Sequence, residues 1–291
     1  MRLAVTLLAL VLALGFAAPA RADVEIPPPP PTSDSPPDAP VPGPLPAGVN
    51  DWNCRSASRP VPLILVHGTW GNALVNWFAT VPALKAAGHC VYAFNYGGAP
   101  NGVVQGTGDI RVSAQQLAAF VREVRSATGA AKVDLVGHSQ GGMMPRYYLK
   151  NLGGAQYVRH LVGIAPSNDG TDVWGLTRLA KAYGIVDLGG YVCYSCYQQV
   201  RGSEFLTELN AGGQTEPGVE YTVIATKYDE IVTPYRSSFL TGDGVHNILV
   251  QDVCPNEISE HGLIVASPVT RQLVTNALAP AGERKPVRCL F

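Results

Sequence analysis

The chain has 291 residues, of which 46% are hydrophobic and 15% charged, with a formal charge of −1. That length can bury a sizeable core, and a near-balanced charge without a basic patch argues against nucleic acid as a partner. In chain order, Arg2, the apolar run Leu3 to Ala18 and Ala20-Arg21-Ala22 read as a secretory signal peptide over residues 1–22. The run is short for a transmembrane helix and has no basic stop-transfer flank, and no later stretch is apolar for long enough to span a bilayer. The chain is therefore expected to be exported and extracellular. Residues 23–50 are crowded with proline, including Pro27 to Pro31, and are expected to stay extended or disordered, as a cell-wall spacer or a passive tail. Residues 51–291 have the length of one large α/β domain.

Within that domain, short β-rich runs alternate with helical patterns, as in a parallel sheet covered on both faces. Strands are expected at Val61 to Val66, Cys90 to Asn95, Lys132 to Val136, Val158 to Ile164, Tyr221 to Thr226 and Asn247 to Asp252. Helices are expected at Ala73 to Ala87, stopped by Gly88; at Ala114 to Thr128, capped by Ser113; after Ser139 to Leu152; near Ser203 to Leu209; and from Ser267-Pro268 onward. No repeat is present. About six strands, mostly parallel by connection length, and no room for an N-terminal strand pair imply a reduced α/β-hydrolase sheet. The alternation breaks over residues 166–218, which are expected to form a cap-like insertion.

Gly137-His138-Ser139-Gln140-Gly141 matches G-x-S-x-G between an expected strand and an expected helix, the context that makes the motif a nucleophile elbow with Ser139 at its tip. A serine nucleophile needs a base, and the base an orienting carboxylate, in the chain order serine, acid, histidine for this fold. Of the three histidines after Ser139, His160 lies inside the expected fourth strand, which leaves His246 and His261. His246 opens an expected strand, whereas His261 lies in a loop from which it can reach the serine, so His261 is the expected base. Asp229 follows the fifth strand, at the sheet edge where such sites form, and is the expected acid, with Glu230 its neighbour and Asp252 the runner-up. The oxyanion donors are expected to be the backbone N–H groups of Gln140 and of Thr69, the latter in the loop after the first strand. His67 and His138 read as structural, and Trp70 as a wall of the pocket or part of the core.

The run Leu63 to Asn72 (LILVHGTWGN), the elbow with Gly142, Ala165-Pro166-Ser167-Asn168, Gly170-Thr171, Cys196-Tyr197-Gln198-Gln199, Thr226 to Pro234 (TKYDEIVTP) and Val253-Cys254-Pro255 resemble the secreted bacterial class 2 lipases, over roughly residues 52 to 280. The resemblance implies an extracellular triacylglycerol lipase or esterase whose triad falls on Ser139, Asp229 and His261. The insertion carries Trp174, Leu176, Leu179, Tyr183, Ile185, Val186 and Leu188, several at helical spacing. Trp174 and Leu179 are expected to line an acyl site under the cap; the alternative is that these side chains only complete the core.

All six cysteines follow the leader, and an even number in an exported chain suggests three disulfides. The pairs Cys54–Cys90, Cys193–Cys196 and Cys254–Cys289 each tie neighbouring segments of the expected fold and are favoured over other connectivities. Cys193-Tyr194-Ser195-Cys196 has redox C-x-x-C spacing, but it sits among glycines and tyrosines rather than between a strand and a helix, which favours a structural bridge. No H-E-x-x-H and no zinc-spaced His/Cys cluster is present, so neither a metal nor another cofactor is expected. The expected partner is a lipid or acyl-ester substrate, with transient contact at a lipid interface. Two other functions share the same sequence features: acyl transfer to an alcohol on the same triad, and non-catalytic binding on a hydrolase fold.

Overall fold

The computed structural model describes residues 39–172 and 193–289. Six strands, β1 (Leu63–Val66), β2 (Val91–Ala93), β3 (Val133–His138), β4 (Val158–Ile164), β5 (Glu220–Ala225) and β6 (Val245–Leu249), form one sheet in the order β2-β1-β3-β4-β5-β6. Every neighbouring pair is parallel. The helices are α1 (Ala73–Trp77), α2 (Val81–Ala86), α3 (Ile110–Thr128), α4 (Gln140–Asn151), α5 (Tyr194–Gln198), α6 (Glu204–Asn210), α7 (Val250–Val253) and α8 (Pro268–Leu278). None of the described helices is long and apolar enough to cross a membrane.

The two-residue period of the strands sorts the core into two layers. From β1, Ile64 and Val66 join Leu117, Phe120, Val121 and Val124 of α3 and Met143 and Met144 of α4 on one face. Leu63 and Leu65 join Trp77, Leu84, Leu273 and Val274 of α1, α2 and α8 on the other. Because both faces are covered, β1 and β3 are buried at every position. Asp134, the one acid in β3, is fully buried and is held by the Arg159 guanidinium from β4.

Several elements differ from the sequence expectation. The single helix expected over 73–87 is two short helices, because Pro82 near the start of α2 has no N–H to give the preceding turn. The helix expected from Ala114 begins at Ile110: the Asp109 side chain caps it by accepting the Arg111 N–H, while Ser113, expected as the cap, is buried one turn inside. The last strand is Val245–Leu249, and residues 250–253 turn into α7. The segment expected to be unpacked up to residue 50 is docked from Val41 to Asn50 along the open edge of β2. There Val41 and Asn50 donate to the Asn95 and Val91 carbonyls, and the Asn50 amide exchanges two bonds with the Ala93 backbone. An edge strand of three residues leaves unpaired groups that this segment satisfies.

Disulfides join Cys54 to Cys90, Cys193 to Cys196 and Cys254 to Cys289. The first and third close loops with sequence separations of 36 and 35, the second one of 3. Loop-closure entropy in the unfolded chain then makes the first worth roughly 3–4 kcal/mol. We expect Cys54→Ser/Cys90→Ser to lower the thermal midpoint by several degrees while keeping the native circular dichroism spectrum; an unchanged midpoint would show that this bridge does not constrain the unfolded chain.

Candidate active site

The carboxyl ends of parallel strands lie on one edge, and β1, β3 and β5 each deliver a loop to it. At the end of β3 the chain turns through Ser139 into α4. Ser139 is at φ 55° and ψ −126°, a conformation that costs a non-glycine residue about 1–3 kcal/mol. The turn is held by the Ser139 N–H on the Ile164 carbonyl and the Gly142 N–H on the Ser139 carbonyl, both at 2.9 Å. Neighbouring backbone leaves no space for side chains: a Cβ on Gly137 would lie 1.8 Å from the Gly141 oxygen, and one on Gly141 would lie 2.2 Å from the Val66 oxygen. Gln140 opens α4, so its N–H is one of the helix's unbonded donors and lies at the positive end of the dipole.

The loop after β5 brings Asp229. Its carboxylate is buried, and Oδ1 accepts from the Ile231 and Val232 N–H groups at 3.0 and 2.7 Å. Oδ2 pairs with His261 Nδ1 at 2.9 Å. The His261 loop is stiffened from within: the Glu257 carboxylate accepts from Ser259 and Ser267, and Glu260 caps the Gly262 and Leu263 N–H groups. Gln251 joins the two loops, accepting from Lys227 N–H and donating to the Glu257 carbonyl.

His261 is buried, and its Nε2 makes no hydrogen bond among the described residues. Burial alone would depress its pKa. The Asp229 carboxylate and its hydrogen bond, with help from Glu230 and Glu260, outweigh burial and raise it above the ordinary 6.5. Ser139, His261, Thr69, Glu230 and Ile231 line one cavity of about 340 Å³.

The structure thus brings Ser139, Asp229, His261, Thr69 and Gln140 together. It does not bring the runners-up: Asp252 is exposed on α7, and His246 lies in β6 beside a different cavity with His160 and Arg284. Trp70, at φ 60°, packs with Cys193, Cys196 and Ile231 and is not among the described residues lining the Ser139 cavity. Trp174 and Leu179 lie outside the described residues. His67 stacks on Tyr96 at 4.2 Å, with Nδ1 2.8 Å from the Gly68 carbonyl. His138 donates from Nε2 to the His261 carbonyl at 3.0 Å and faces the Asn76 side-chain amide through Nδ1.

Sequence reasoning missed Asn76, whose Oδ1 accepts the Gly68 N–H, and Glu257, Gln251 and Gln199. Gln199 stands within the Cys196-Tyr197-Gln198-Gln199 run that signalled the family resemblance; the other three carry no motif.

Four other histidines have no buried carboxylate partner; His160 meets only the exposed Glu220 carboxylate, 3.6 Å from its Nδ1. Burial lowers His67 to about 4, His89 to about 4, His138 to about 3 and His160 to about 4, with nearby positive groups adding to the effect for the last three. The unfolded chain binds protons at these sites below pH 6.5 while the native chain refuses them down to about 4. Native stability therefore falls as pH falls through that window, by up to ~1.4 kcal/mol per pH unit for each histidine. His261 has the opposite sign: its contribution is full below 6.5 and is lost as pH rises through its raised native pKa. We expect the urea midpoint to drop markedly between pH 6.5 and pH 5; a midpoint that holds steady would mean these side chains are hydrated.

The model of the family described as Lipase (class 2) matches residues 60–274. A triacylglycerol lipase of Pseudarthrobacter phenanthrenivorans is 39% identical over 101 residues, covering 31% of this chain and 28% of that one. A triacylglycerol lipase of Vibrio cholerae serotype O1 is 29% identical over 160 residues, covering 54% of this chain and 46% of that one. These matches span about a quarter to a half of the relatives' lengths. Among solved structures, Aspergillus fumigatus lipase B superposes with a TM-score of 0.64 at 22% identity, over 84% of this chain and 56% of that one, a likeness of fold.

Proposed function

We propose that this chain, which belongs to the class 2 lipase family, is an exported serine hydrolase that cleaves lipid esters through an acyl-enzyme on Ser139. One observation carries the reading: a buried imidazole is held at Nδ1 by a buried carboxylate, while its Nε2 is left unbonded, in the cavity that a strained serine also lines.

In this reading Ser139 Oγ attacks the ester carbonyl carbon and His261 Nε2 takes the hydroxyl proton. Asp229 Oδ2 keeps Nδ1 protonated and stabilises the imidazolium. Negative charge on the tetrahedral oxygen is met by the Thr69 and Gln140 N–H groups, already oriented before charge develops. The intermediate collapses, the carbon–oxygen bond to the alcohol breaks, and His261 returns its proton to the leaving oxygen. Water, deprotonated by the same nitrogen, then attacks the acyl carbon; the bond to Ser139 Oγ breaks, His261 returns the proton to that oxygen, and the free acid leaves.

Two features support a lipid ester. Leu74 and Val75 of α1 and Phe78, its C-cap, are exposed and close in sequence to Asn76, which lines the cavity, and Leu263 is exposed two residues after His261. Exposed apolar side chains flanking cavity-lining residues in the chain suit an acyl chain or an aggregated lipid better than a polar substrate. The three disulfides favour an oxidising compartment, in keeping with the expected leader.

The test uses a panel of p-nitrophenyl esters of rising chain length and an emulsified triglyceride, with free acid and alcohol both quantified. Ser139→Ala should lower kcat by on the order of 10⁴ to 10⁶ without changing the thermal midpoint. A folded variant that keeps a tenth of wild-type activity would remove Ser139 from the mechanism.

The pH profile gives a separate expectation. Only neutral His261 can accept the serine proton, and its pKa is raised. The acid limb of kcat/KM should therefore bend above pH 6.5 and fall tenfold per pH unit below the bend. A profile flat to pH 5 would exclude a histidine base.

A further inference from the structure

Thr69 is held from a side that the reaction does not touch. Its hydroxyl donates to Gln140 Oε1 at 2.9 Å and accepts from Gln199 Nε2 at 3.0 Å. Gln199 is in turn fully committed: its Oε1 accepts from Ser167 Oγ at 2.8 Å, and Nε2 also donates to the Ser195 carbonyl at 3.1 Å. All four side chains in this chain of bonds are buried. With its oxygen taken by Ser167, the Gln199 amide turns its donor nitrogen to Thr69 and to the Ser195 carbonyl, so the bond to Thr69 has a fixed direction.

Gln199 follows α5, a helix of five residues, too short to be stable by itself. The Cys193–Cys196 bridge closes its first turn. The bridge packs against Trp70, the residue after Thr69, and against Ile231, which lines the cavity beside Asp229. The same turn bonds the segment behind the oxyanion loop: Ser195 Oγ donates to the Gly106 carbonyl, and Ser195 N–H to the Thr107 carbonyl. Gly106 itself lies so close to that loop that a Cβ would be 3.1 Å from the Gly68 oxygen and 3.3 Å from Thr69 Cα. Gln198 ties the turn to the start of α3 by accepting the Ile110 N–H and donating to Asp109.

We infer that Gln199 is a positioning residue for the oxyanion site, acting through the Thr69 hydroxyl, and that the Cys193–Cys196 bridge is the clamp that holds it there. The inference rests on the hydrolase reading above. Gln199 fixes the Thr69 side chain, and with it the direction of the Thr69 N–H. A donor displaced by a fraction of an ångström binds the ground-state ester as before but meets the tetrahedral oxygen less well. The expected signature is a fall in kcat with little change in KM.

The test is a double-mutant cycle on p-nitrophenyl butyrate, in variants whose thermal midpoints lie well above the assay temperature. Gln199→Leu should lower kcat at least tenfold with KM within threefold of wild type. In a Thr69→Val background, which has no hydroxyl to receive the bond, adding Gln199→Leu should cost less than threefold. In Thr69→Ser, which keeps the oxygen, the tenfold penalty should return. Cys193→Ser/Cys196→Ser should lower kcat at least fivefold, whereas Cys54→Ser/Cys90→Ser should leave it within twofold. Additive losses for Gln199 and Thr69, or a loss carried mainly by KM, would overturn the positioning role. An unchanged kcat without the Cys193–Cys196 bridge would overturn the clamp. Either result in a wild-type enzyme with serine-dependent hydrolysis leaves the hydrolase reading standing; a wild-type protein without such hydrolysis overturns both.

Discussion

The close approach of α4 to β1 and β4 at the end of β3 is the constraint on which the rest of the site depends. Gly141 lies against the Val66 and His67 carbonyls, and Gly142 against Pro166 and Gly163. The helix can start this close only without side chains at those positions. Starting there, it forces Ser139 into a strained conformation at the sheet edge. The strain is offset by burial of α4 between strand ends and by the bonds that anchor Ser139 and Gly142. A nucleophile fixed in this way cannot adjust to its partners, so the other loops must be brought to it and stiffened in place. Glu257, Glu260 and Gln251 do this for the histidine loop, and the Ile231 and Val232 N–H groups of the loop after β5 do it for Asp229.

Electrostatics then divides two neighbouring imidazoles. The rings of His138 and His261 are 4.9 Å apart, and both are buried. His261 has a carboxylate on Nδ1 and is raised above 6.5; His138 has only neutral partners, and burial together with the nearby His261 drives it to about 3. Two positive charges at that distance in a buried site would repel strongly. Placing the carboxylate beside only one ring settles which takes a proton. His138 stays neutral and holds the His261 backbone, a structural task that leaves the chemistry to its neighbour.

Much of this arrangement could be read from the sequence, because its strongest signals are local. A β-rich run passing through Gly137-His138-Ser139-Gln140-Gly141 into a helical pattern contains its own geometry, and chain order, with His160 inside an expected strand, narrows the histidine to two candidates. Other features depend on contacts between distant segments. Thr226 and Gln251 are 25 residues apart, and Thr69 and Gln199 are 130, so no spacing rule connects them. The break between α1 and α2 is hidden because Trp77, Val81 and Leu84 keep a helical rhythm across it; Pro82 was the only mark. Ser113 and Asp109 are both good caps by residue type, and burial of Ser113 against α3's own first turn decides between them. The docking of Val41 to Asn50 reflects the need of the β2 edge for partners, a need that the composition of the segment does not express.

The central claim is that one serine, in one cavity, takes the acyl group. The most direct measurement is reaction with an alkyl fluorophosphonate, followed by intact mass and peptide mapping. The phosphonyl group mimics the tetrahedral intermediate and should add once per chain, with loss of fluoride, on the peptide containing Ser139. Its rate should follow the same acidic limb above pH 6.5 that governs His261. Stoichiometric labelling at any other residue, or a chain that stays unlabelled while folded, would contradict the account.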